Sequence, residues 1–256
     1  MHVSPGRLKI LNIWVDPVSM PEAIQKIDSF VTCGNRPHAV FAANPEKNYS
    51  VPQDPLLYET FRSADLLIPD GIGIVLAARA LYGKKFSRVP GVELMEEICR
   101  LAAKRDFGVF FYGAKEEVSS KATAELLSRY PNLRIAGRAN GYVSESEMPG
   151  LIERINASGA EILFLALGSP RQEKWFSRYR DQLTSVRVCQ GIGGTLDTLA
   201  GTTKRAPAWW CRNSMEWLYR LLAEPSRIGR QKVLPVFAAE VLYTWVRRSR
   251  RADVSL

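Results

Sequence analysis

The chain has 256 residues, 46% of them hydrophobic, which is enough for one large domain or one domain with an appendage. Its four cysteines form no CxxC pair and it has two histidines, which argues against a zinc site or a disulfide framework. The longest apolar run, residues 233–246, contains a proline and a glutamate and is shorter than the roughly 20 residues that span a bilayer.

Short apolar runs alternate with amphipathic helical patterns along most of the chain. This alternation predicts an α/β fold with a mostly parallel sheet flanked by helices. The predicted strands cover residues 39–42, 65–68, 108–112, 133–137, 162–167 and 186–190. The predicted helices cover residues 21–31, 54–62, 73–81, 92–104, 116–130, 145–156 and 170–179. Ser169, Pro170 and Gln172 have the spacing of a capping box, so we expect Ser169 to cap the last helix.

Basic charge is concentrated in the last fifth of the chain. Residues 203–256 carry eleven Lys/Arg against four Asp/Glu and hold four of the six tryptophans, whereas the first 202 residues are nearly neutral. Positive charge interleaved with aromatic side chains suits a nucleic acid or the anionic headgroups of a membrane. We therefore predict a catalytic core over residues 1–202 and a basic, helical appendage over residues 203–256 that docks on one of these two surfaces.

Four glycine-containing loops follow predicted strands, at residues 69–73, 112–115, 167–172 and 190–195. In open α/β sheets such loops meet at the carboxyl ends of the strands, where ligands bind. Glycine lets the backbone approach a phosphate closely, and helix N-termini attract anions. The loops therefore predict a nucleotide or sugar-phosphate pocket. The candidate binding residues in them are Gly71, Gly73, Gly113, Gly168, Pro170, Gln172, Gly193 and Gly194.

No complete nucleotide-binding motif accompanies these loops. The GxGxxG fingerprint lacks its last glycine at residues 71–76 and 191–196, and the absence of GxxxxGK[ST] argues against a P-loop enzyme. The chain also has no Asp-x-Asp, the usual carboxylate pair that holds a divalent ion on a diphosphate. We predict neither a metal nor a cofactor. If a nucleotide diphosphate leaves from this pocket, arginines, lysines and helix ends must neutralise its charge.

Asp70 is the candidate catalytic base, because it directly follows an apolar strand and its side chain is expected to project into the loop cluster. A general base needs only one carboxylate within reach of a hydroxyl group. The alternative is that Asp70 caps a turn or helix, as an Asp before Gly often does. Asp197 is a candidate positioning group. Arg88, alone in a turn, is either a phosphate clamp or a solvated arginine.

Several short segments occur together, and their ordered set is far more specific than any one of them. They are Asn44-Pro45-Glu46, PDGIG at 69–73, RVPG at 88–91, GSPRQEKW at 168–175, GIGGTLD at 191–197, KRAP at 204–207 with Trp210, and EWLYRL at 216–221 running into Glu224-Pro225. Together they resemble the WecG/TagA/CpsF family of bacterial glycosyltransferases (glycosyltransferase family 26). The resemblance spans about residues 40–231, most of the chain.

The resemblance implies a Rossmann-like core that transfers a sugar from a UDP-sugar to a saccharide linked to undecaprenyl diphosphate. It implies inversion at the anomeric carbon, no metal, and a role in cell-surface polysaccharide synthesis of the exopolysaccharide or teichoic-acid type. It also implies a peripheral protein at the cytoplasmic face of the bacterial inner membrane, and self-association.

The resemblance also assigns roles to matching residues. Asp70 corresponds to the proposed base, and Asn44, Arg88 and Gln172 fall in the substrate pocket. The C-terminal arginines thought to close over the diphosphate correspond to Arg220, Arg227 and Arg230. The family often has a threonine two residues before the asparagine, where this chain has Ala42, so the resemblance does not carry the identity of the sugar over.

The tail is expected to dock the enzyme on an anionic membrane. Phe237, Val241 and residues 243–246, followed by four arginines within residues 247–251, suit a helix that lies in the headgroup layer. Two alternatives remain open. A dinucleotide-dependent oxidoreductase is favoured by the glycine loops but weakened by the incomplete fingerprint. A nucleic-acid-binding protein would use the tail, but its basic residues lie among aliphatic helix positions, so we expect no nucleic-acid partner.

Overall fold

A computed structural model describes residues 6–203, 206–207, 209–210, 215–223, 229 and 232–253. A small antiparallel hairpin comes first, formed by β1 (Leu8–Ile10) and β2 (Ile13–Val15). The main sheet within these residues consists of β3 (His38–Ala43), β4 (Leu66–Pro69), β5 (Val109–Gly113), β6 (Ile135–Ala139), β7 (Ile162–Ala166) and β8 (Val188–Gly191). Its order is β4-β3-β8-β7-β5-β6, and all neighbouring strands are parallel.

Helices connect the strands and cover both faces of the sheet. They are α1 (Met20–Cys33), α2 (Pro45–Ser50), α3 (Pro55–Ser63), α4 (Ile72–Tyr82), α5 (Gly91–Arg105), α6 (Glu116–Arg129), α7 (Met148–Ala157), α8 (Arg171–Tyr179), α9 (Thr195–Leu199), α10 (Glu216–Ala223) and α11 (Val233–Asp253). Short 3-10 turns, Val51–Gln53 and Arg180–Gln182, follow α2 and α8. No helix in the described part of the chain has both the length and the apolar character needed to cross a bilayer.

The predicted α/β fold class is confirmed, and each predicted strand and helix has a counterpart in the structure. The hairpin and α2 are additions that the sequence pattern does not predict. Strands of three residues and a helix of six are too short to show a periodicity. α2 depends instead on Asn44, whose side-chain oxygen accepts the Lys47 N–H, and on Pro45 in the first turn.

The capping box predicted at Ser169 is wrong. α8 begins one residue later than expected, with Pro170 in the N-cap position and no side-chain cap. The Ser169 hydroxyl oxygen accepts a hydrogen bond from the ammonium group of Lys47, and the Gln172 side chain accepts one from the N–H of Gly193. Both side chains therefore bind other elements at the edge of the sheet, rather than the first turn of their own helix.

Successive side chains along each strand point to opposite faces of the sheet, which divides the core into two layers. Phe41, Phe110 and Leu163 belong to one layer, with residues of α3, α4, α7 and α8. Their neighbours Val40 and Phe111 belong to the other layer, with residues of α1, α5 and α6. Because both faces are covered, the central strands are apolar at nearly every position, as expected for a parallel sheet.

The C-terminal helix α11 packs against α4 and α2. Phe237 is only 3% exposed and, with Val241, belongs to the first core layer. The prediction that these two side chains face the headgroup layer is therefore wrong, because they pack against the protein itself. At the far end of the helix, Arg248 donates a hydrogen bond to the Leu81 carbonyl at 3.0 Å and lies over the ring of Tyr82. This contact satisfies a carbonyl at the C-terminal end of α4. The division into a core and an appendage at residue 203 stays a prediction.

Candidate active site

A cavity of about 690 Å³ opens at the carboxyl edge of the sheet, beside the ends of β3, β4 and β8. β3 and β8 are neighbours in the sheet, but the helices that follow them diverge. α2, which follows β3, packs against α11, whereas α9, which follows β8, packs against α6. Diverging connections leave a crevice between adjacent strand ends, which is where open α/β sheets bind ligands. The predicted location of the pocket therefore agrees with the observed cavity.

Asp70 and Arg88 lie together at the end of β4, on the wall of the cavity. The Asp70 N–H donates to the carbonyl of Ala43 at the end of β3, which fixes the loop between the two strands. The Val89 N–H donates to the Pro69 carbonyl at 2.9 Å, which places Arg88 beside Asp70. These backbone hydrogen bonds hold a carboxylate and a guanidinium group at the same cavity.

The Asp70 carboxylate also has a structural partner. Its Oδ1 accepts the Gly91 N–H at 2.9 Å, at the start of α5. The alternative interpretation of Asp70 as a capping residue is thereby supported for α5, and not for the nearer helix α4, whose N-cap is Gly71. One carboxylate oxygen in a backbone hydrogen bond orients the side chain and does not conflict with proton transfer at the cavity.

Gly71 and Gly73 line the cavity at the start of α4, where α4 meets α2. A Cβ atom on Gly73 would lie 2.9 Å from the Pro45 ring, and one on Gly71 would lie 3.2 Å from it. The two glycines therefore allow the loops after β3 and β4 to approach each other closely. This packing role is one that the sequence does not reveal.

A buried polar cluster forms another part of the wall. The Lys47 ammonium group lies 2.8 Å from Glu173 Oε1, and the two side chains are 9% and 2% exposed. Glu173 Oε1 lies 3.5 Å from Gln172 Nε2, and Gln172 Oε1 accepts the Gly193 N–H at 3.0 Å. We call Lys47, Ser169, Gln172, Glu173 and Gly193 the Lys47–Glu173 cluster. It joins the connections that follow β3, β7 and β8.

The other wall of the cavity is apolar and comes from helices. α4 contributes Leu76, Ala77 and Ala80, and α10 contributes Trp217. α11 contributes Leu234, Phe237, Ala238, Val241, Leu242 and Trp245. Leu76, Trp217, Leu242 and Trp245 are largely exposed as well, so this wall reaches the protein surface. The cavity can therefore receive a ligand with a polar end and an apolar end.

The structure brings together many, but not all, of the predicted site residues. Asn44, Asp70, Gly71, Gly73, Arg88, Gln172, Gly193 and Gly194 line the cavity. Gly113, Gly168, Pro170 and Asp197 are not among its lining residues. Arg227 and Arg230 lie outside the described residues, as does the side chain of Arg220 in α10. Among the residues that the structure does describe, no three His, Cys, Asp or Glu side chains form a group that could hold a metal ion.

Gly113 has a structural role outside the cavity lining. Its φ is +131°, and a Cβ atom there would lie 2.4 Å from the backbone of Ala166 on the neighbouring strand β7. The glycine is therefore required by the close approach of β5 and β7. Gly168, with φ +74°, accepts the Gln172 N–H through its carbonyl oxygen and sets up the start of α8.

Sequence reasoning misses Lys47 and Glu173 as site residues. The sequence shows only that Lys47 lies three residues after Asn44, which starts a helix, and that Glu173 follows Gln172. Neither position predicts that Lys47 and Glu173 contact each other. It also misses the apolar wall of α4, because the hydrophobic residues of a helix usually indicate a core face.

Comparisons with known proteins agree on one family. The chain matches the profile of the glycosyl transferase WecG/TagA/CpsF family over residues 8–251. It is 33% identical over 242 residues to the N-acetylglucosaminyldiphosphoundecaprenol N-acetyl-beta-D-mannosaminyltransferase of Bacillus subtilis (strain 168), covering 94% of this chain and 90% of that protein. Proteins of the same name are 34% identical in Bacillus spizizenii, with 81% and 80% covered, and 33% identical in Staphylococcus aureus (strain MRSA252), with 92% of each covered.

Proposed function

The chain belongs to the WecG/TagA/CpsF family of glycosyltransferases, and we propose that it transfers a sugar from a UDP-sugar to a saccharide linked to undecaprenyl diphosphate. The observation that carries this proposal is the two-sided cavity, with Asp70 and Arg88 on its polar wall and helices α4 and α11 forming its apolar wall. The polar wall suits a nucleotide sugar, and the apolar wall suits the polyprenyl chain of the acceptor. The product serves the synthesis of a cell-surface polysaccharide.

The sugar is to be found by experiment, with N-acetylmannosamine as the first candidate. The names of the relatives specify that sugar for those proteins. Ala42 lines the cavity of this chain, and its methyl group offers no hydroxyl to a substrate. A donor that depends on a hydroxyl at that position would bind differently here, so UDP-hexoses belong in the same comparison.

The proposed reaction is a single displacement. Asp70 takes the proton of the acceptor hydroxyl, whose oxygen attacks C1 of the donor sugar from the face opposite UDP. The bond between C1 and the diphosphate oxygen breaks as the new C1–O bond forms, so the anomeric centre is inverted. A general base of this kind contributes about 10²- to 10⁴-fold to the rate.

Charge on the leaving UDP is balanced without a metal in this proposal. Arg88 is on the cavity wall beside Asp70, and Gly194 follows β8 on the same wall. Arg220, Arg227 and Arg230 are proposed to complete this set when the tail closes over the diphosphate. The Gly193 N–H donates to Gln172, so we assign Gly193 to loop positioning. Removing one charge-stabilising donor typically costs about 10²- to 10³-fold in rate.

The enzyme is proposed to act as a peripheral protein at the cytoplasmic face of the bacterial membrane. Leu242 and Tyr243 on α11 are exposed, and Arg247 and Arg248 follow them on the same helix. An apolar face with a basic end suits a helix that lies in the headgroup layer. Each Lys or Arg near an anionic surface contributes about 1 kcal/mol to binding. Docking there would bring the apolar wall of the cavity next to the lipid acceptor.

Ligand binding tests the donor half of the proposal. We expect UDP and the correct UDP-sugar to raise the unfolding temperature with EDTA present, since a ligand at 100 times its dissociation constant stabilises a fold by about 2.7 kcal/mol. GDP and NAD serve as controls. Stabilisation by NAD alone would favour an oxidoreductase instead.

A further inference from the structure

The Lys47–Glu173 cluster includes a carboxylate oxygen that no group in the described part of the chain satisfies. Glu173 Oε1 pairs with Lys47 at 2.8 Å, but Glu173 Oε2 is buried and has no hydrogen-bond partner there. A buried polar atom without a partner is costly, because it has lost its hydrogen bonds to water, so nearly all such atoms pair with a protein group, a water molecule or a ligand. Because Glu173 also lines the cavity, a bound ligand can supply the missing donor.

Stability alone is a poor explanation for the ion pair. Replacing both members of a buried pair by apolar residues of similar volume is often neutral or even stabilising, whereas removing one member is strongly destabilising. The Lys47–Glu173 pair is buried on both sides and has an incompletely satisfied carboxylate. Such a pair is expected to be costly for folding unless the free oxygen has a partner in the working enzyme.

The position of the cluster indicates what that partner is. Lys47 follows Asn44 on α2, and Gln172 connects Glu173 to the loop of Gly193, so the cluster lies on the polar wall formed by the strand-end loops. In the proposed function this wall receives a sugar, whose hydroxyl and amide groups are hydrogen-bond donors. The ammonium group of Lys47 holds the carboxylate in place and compensates its charge.

We propose that Glu173 is a substrate-binding residue, whose Oε2 accepts a hydrogen bond from a hydroxyl or amide N–H of a bound sugar, and that Lys47 positions it. This assignment rests on the proposed glycosyltransferase function. The sugar belongs either to the donor or to the acceptor, and the KM values of the two substrates distinguish these sources.

The test is a variant that removes both charges while keeping volume, Lys47→Met combined with Glu173→Met. We expect it to unfold near the temperature of the wild type, because no buried charge is left alone. We also expect kcat/KM to fall by about 10- to 100-fold through a raised KM for one substrate, since a hydrogen bond to a charged acceptor is lost. Lys47→Met alone should unfold at a lower temperature than the double variant.

A neighbouring lysine provides the matched control. Lys174 follows Glu173 on the same helix, pairs with Asp54 near the surface and is not among the cavity residues. Lys174→Met should leave both KM values unchanged. Glu173→Gln is a second substitution of nearly the same shape, and it should raise the same KM if its unfolding shows that it is folded.

The outcomes separate the two proposals. A folded double variant with wild-type KM values for both substrates would overturn the role of Glu173 and leave the glycosyltransferase function standing. A folded wild-type protein that transfers no sugar would overturn the proposed function and this assignment with it. A raised KM for the UDP-sugar alone would place the hydrogen bond on the donor, and a raised KM for the lipid-linked acceptor would place it on the acceptor.

Discussion

The hydroxyl group of Tyr49 donates a hydrogen bond to Glu240 Oε2 at 3.0 Å, joining α2 to the C-terminal helix α11 across a separation of 191 residues. Burial and this contact with a carboxylate raise the pKa of Tyr49 to about 12. A raised pKa means that the folded state favours the neutral phenol. The contribution of the neutral Tyr49 phenol to the free energy of unfolding is therefore complete below pH 10 and is lost only as the pH rises toward 12.

Tyr49→Phe should destabilise the protein by about 1 kcal/mol, because one hydrogen bond between α2 and α11 is lost. The loss should be the same at pH 6 and pH 9, since both lie below the range in which the phenol ionises. Urea unfolding at the two pH values measures it. Tyr142→Phe, at an exposed tyrosine, should have no effect. A loss that changes between pH 6 and pH 9 would contradict the assignment.

Asp70→Asn should reduce transfer by about 10²- to 10⁴-fold, because the amide cannot accept the proton of the acceptor hydroxyl. The amide oxygen can still accept the Gly91 N–H, so we expect the unfolding temperature to stay close to that of the wild type. Initial rates of sugar transfer measure the loss. Asp181→Asn, at a highly exposed aspartate, is the control. Wild-type turnover in Asp70→Asn would show that Asp70 only caps α5.

Gly191→Ala should impair activity much more than stability. The added Cβ would lie 2.5 Å from Gln172 Nε2 and 3.1 Å from the Phe41 ring. The end of the Gln172 side chain can move away at modest cost, but its bond to Gly193 is then broken. Misplacing a site by about 1 Å can cost on the order of 10²-fold in rate.

The control for Gly191 is Gly150 in α7, where nothing lies within 4 Å of an added Cβ. Gly150→Ala should stabilise the protein by about 0.5–1 kcal/mol and leave the rate unchanged. Steady-state kinetics and thermal unfolding of both variants make the comparison. Equal rates in the two variants would argue against a role for the Gln172–Gly193 contact.

Membrane docking is tested with exposed residues of α11. Replacing Leu242 and Tyr243 together by serine should weaken binding to anionic vesicles and leave stability nearly unchanged, because both side chains are exposed. Vesicle flotation at a fixed salt concentration measures the binding. Replacing Leu127 and Tyr142, which are exposed elsewhere on the surface, provides the matched control. Unchanged flotation of the α11 variant would place the membrane contact on another surface.

Much of the fold is predictable because parallel sheets have a strong sequence pattern. Central strands are apolar throughout and the helices between them are amphipathic, so β3 to β8 and the longer helices can be identified in advance. The location of Asp70, Arg88 and Gln172 follows from the same logic, since loops after parallel strands meet at one edge. The short hairpin β1–β2 has too few residues for such a pattern.

The contacts that complete the site depend on tertiary structure. Lys47 and Glu173 are 126 residues apart, and local pattern does not pair them. The apolar wall of the cavity likewise forms only because α11 packs against α4. The residues of α11 are recognisable in the sequence as an amphipathic helix, but its position is not. Gly113 illustrates a second limit of local pattern: a glycine after a strand suggests a binding loop, and the packing of β5 against β7 that also requires a glycine there becomes visible only in the folded chain.

The most direct test of the account is sugar transfer by the purified chain to N-acetylglucosaminyl-diphosphoundecaprenol in vesicles, with EDTA present and a panel of UDP-sugars. We expect one UDP-sugar to give an elongated lipid-linked product with an inverted anomeric linkage and an equal amount of released UDP. A folded protein that binds vesicles but transfers no sugar from any member of the panel would contradict it.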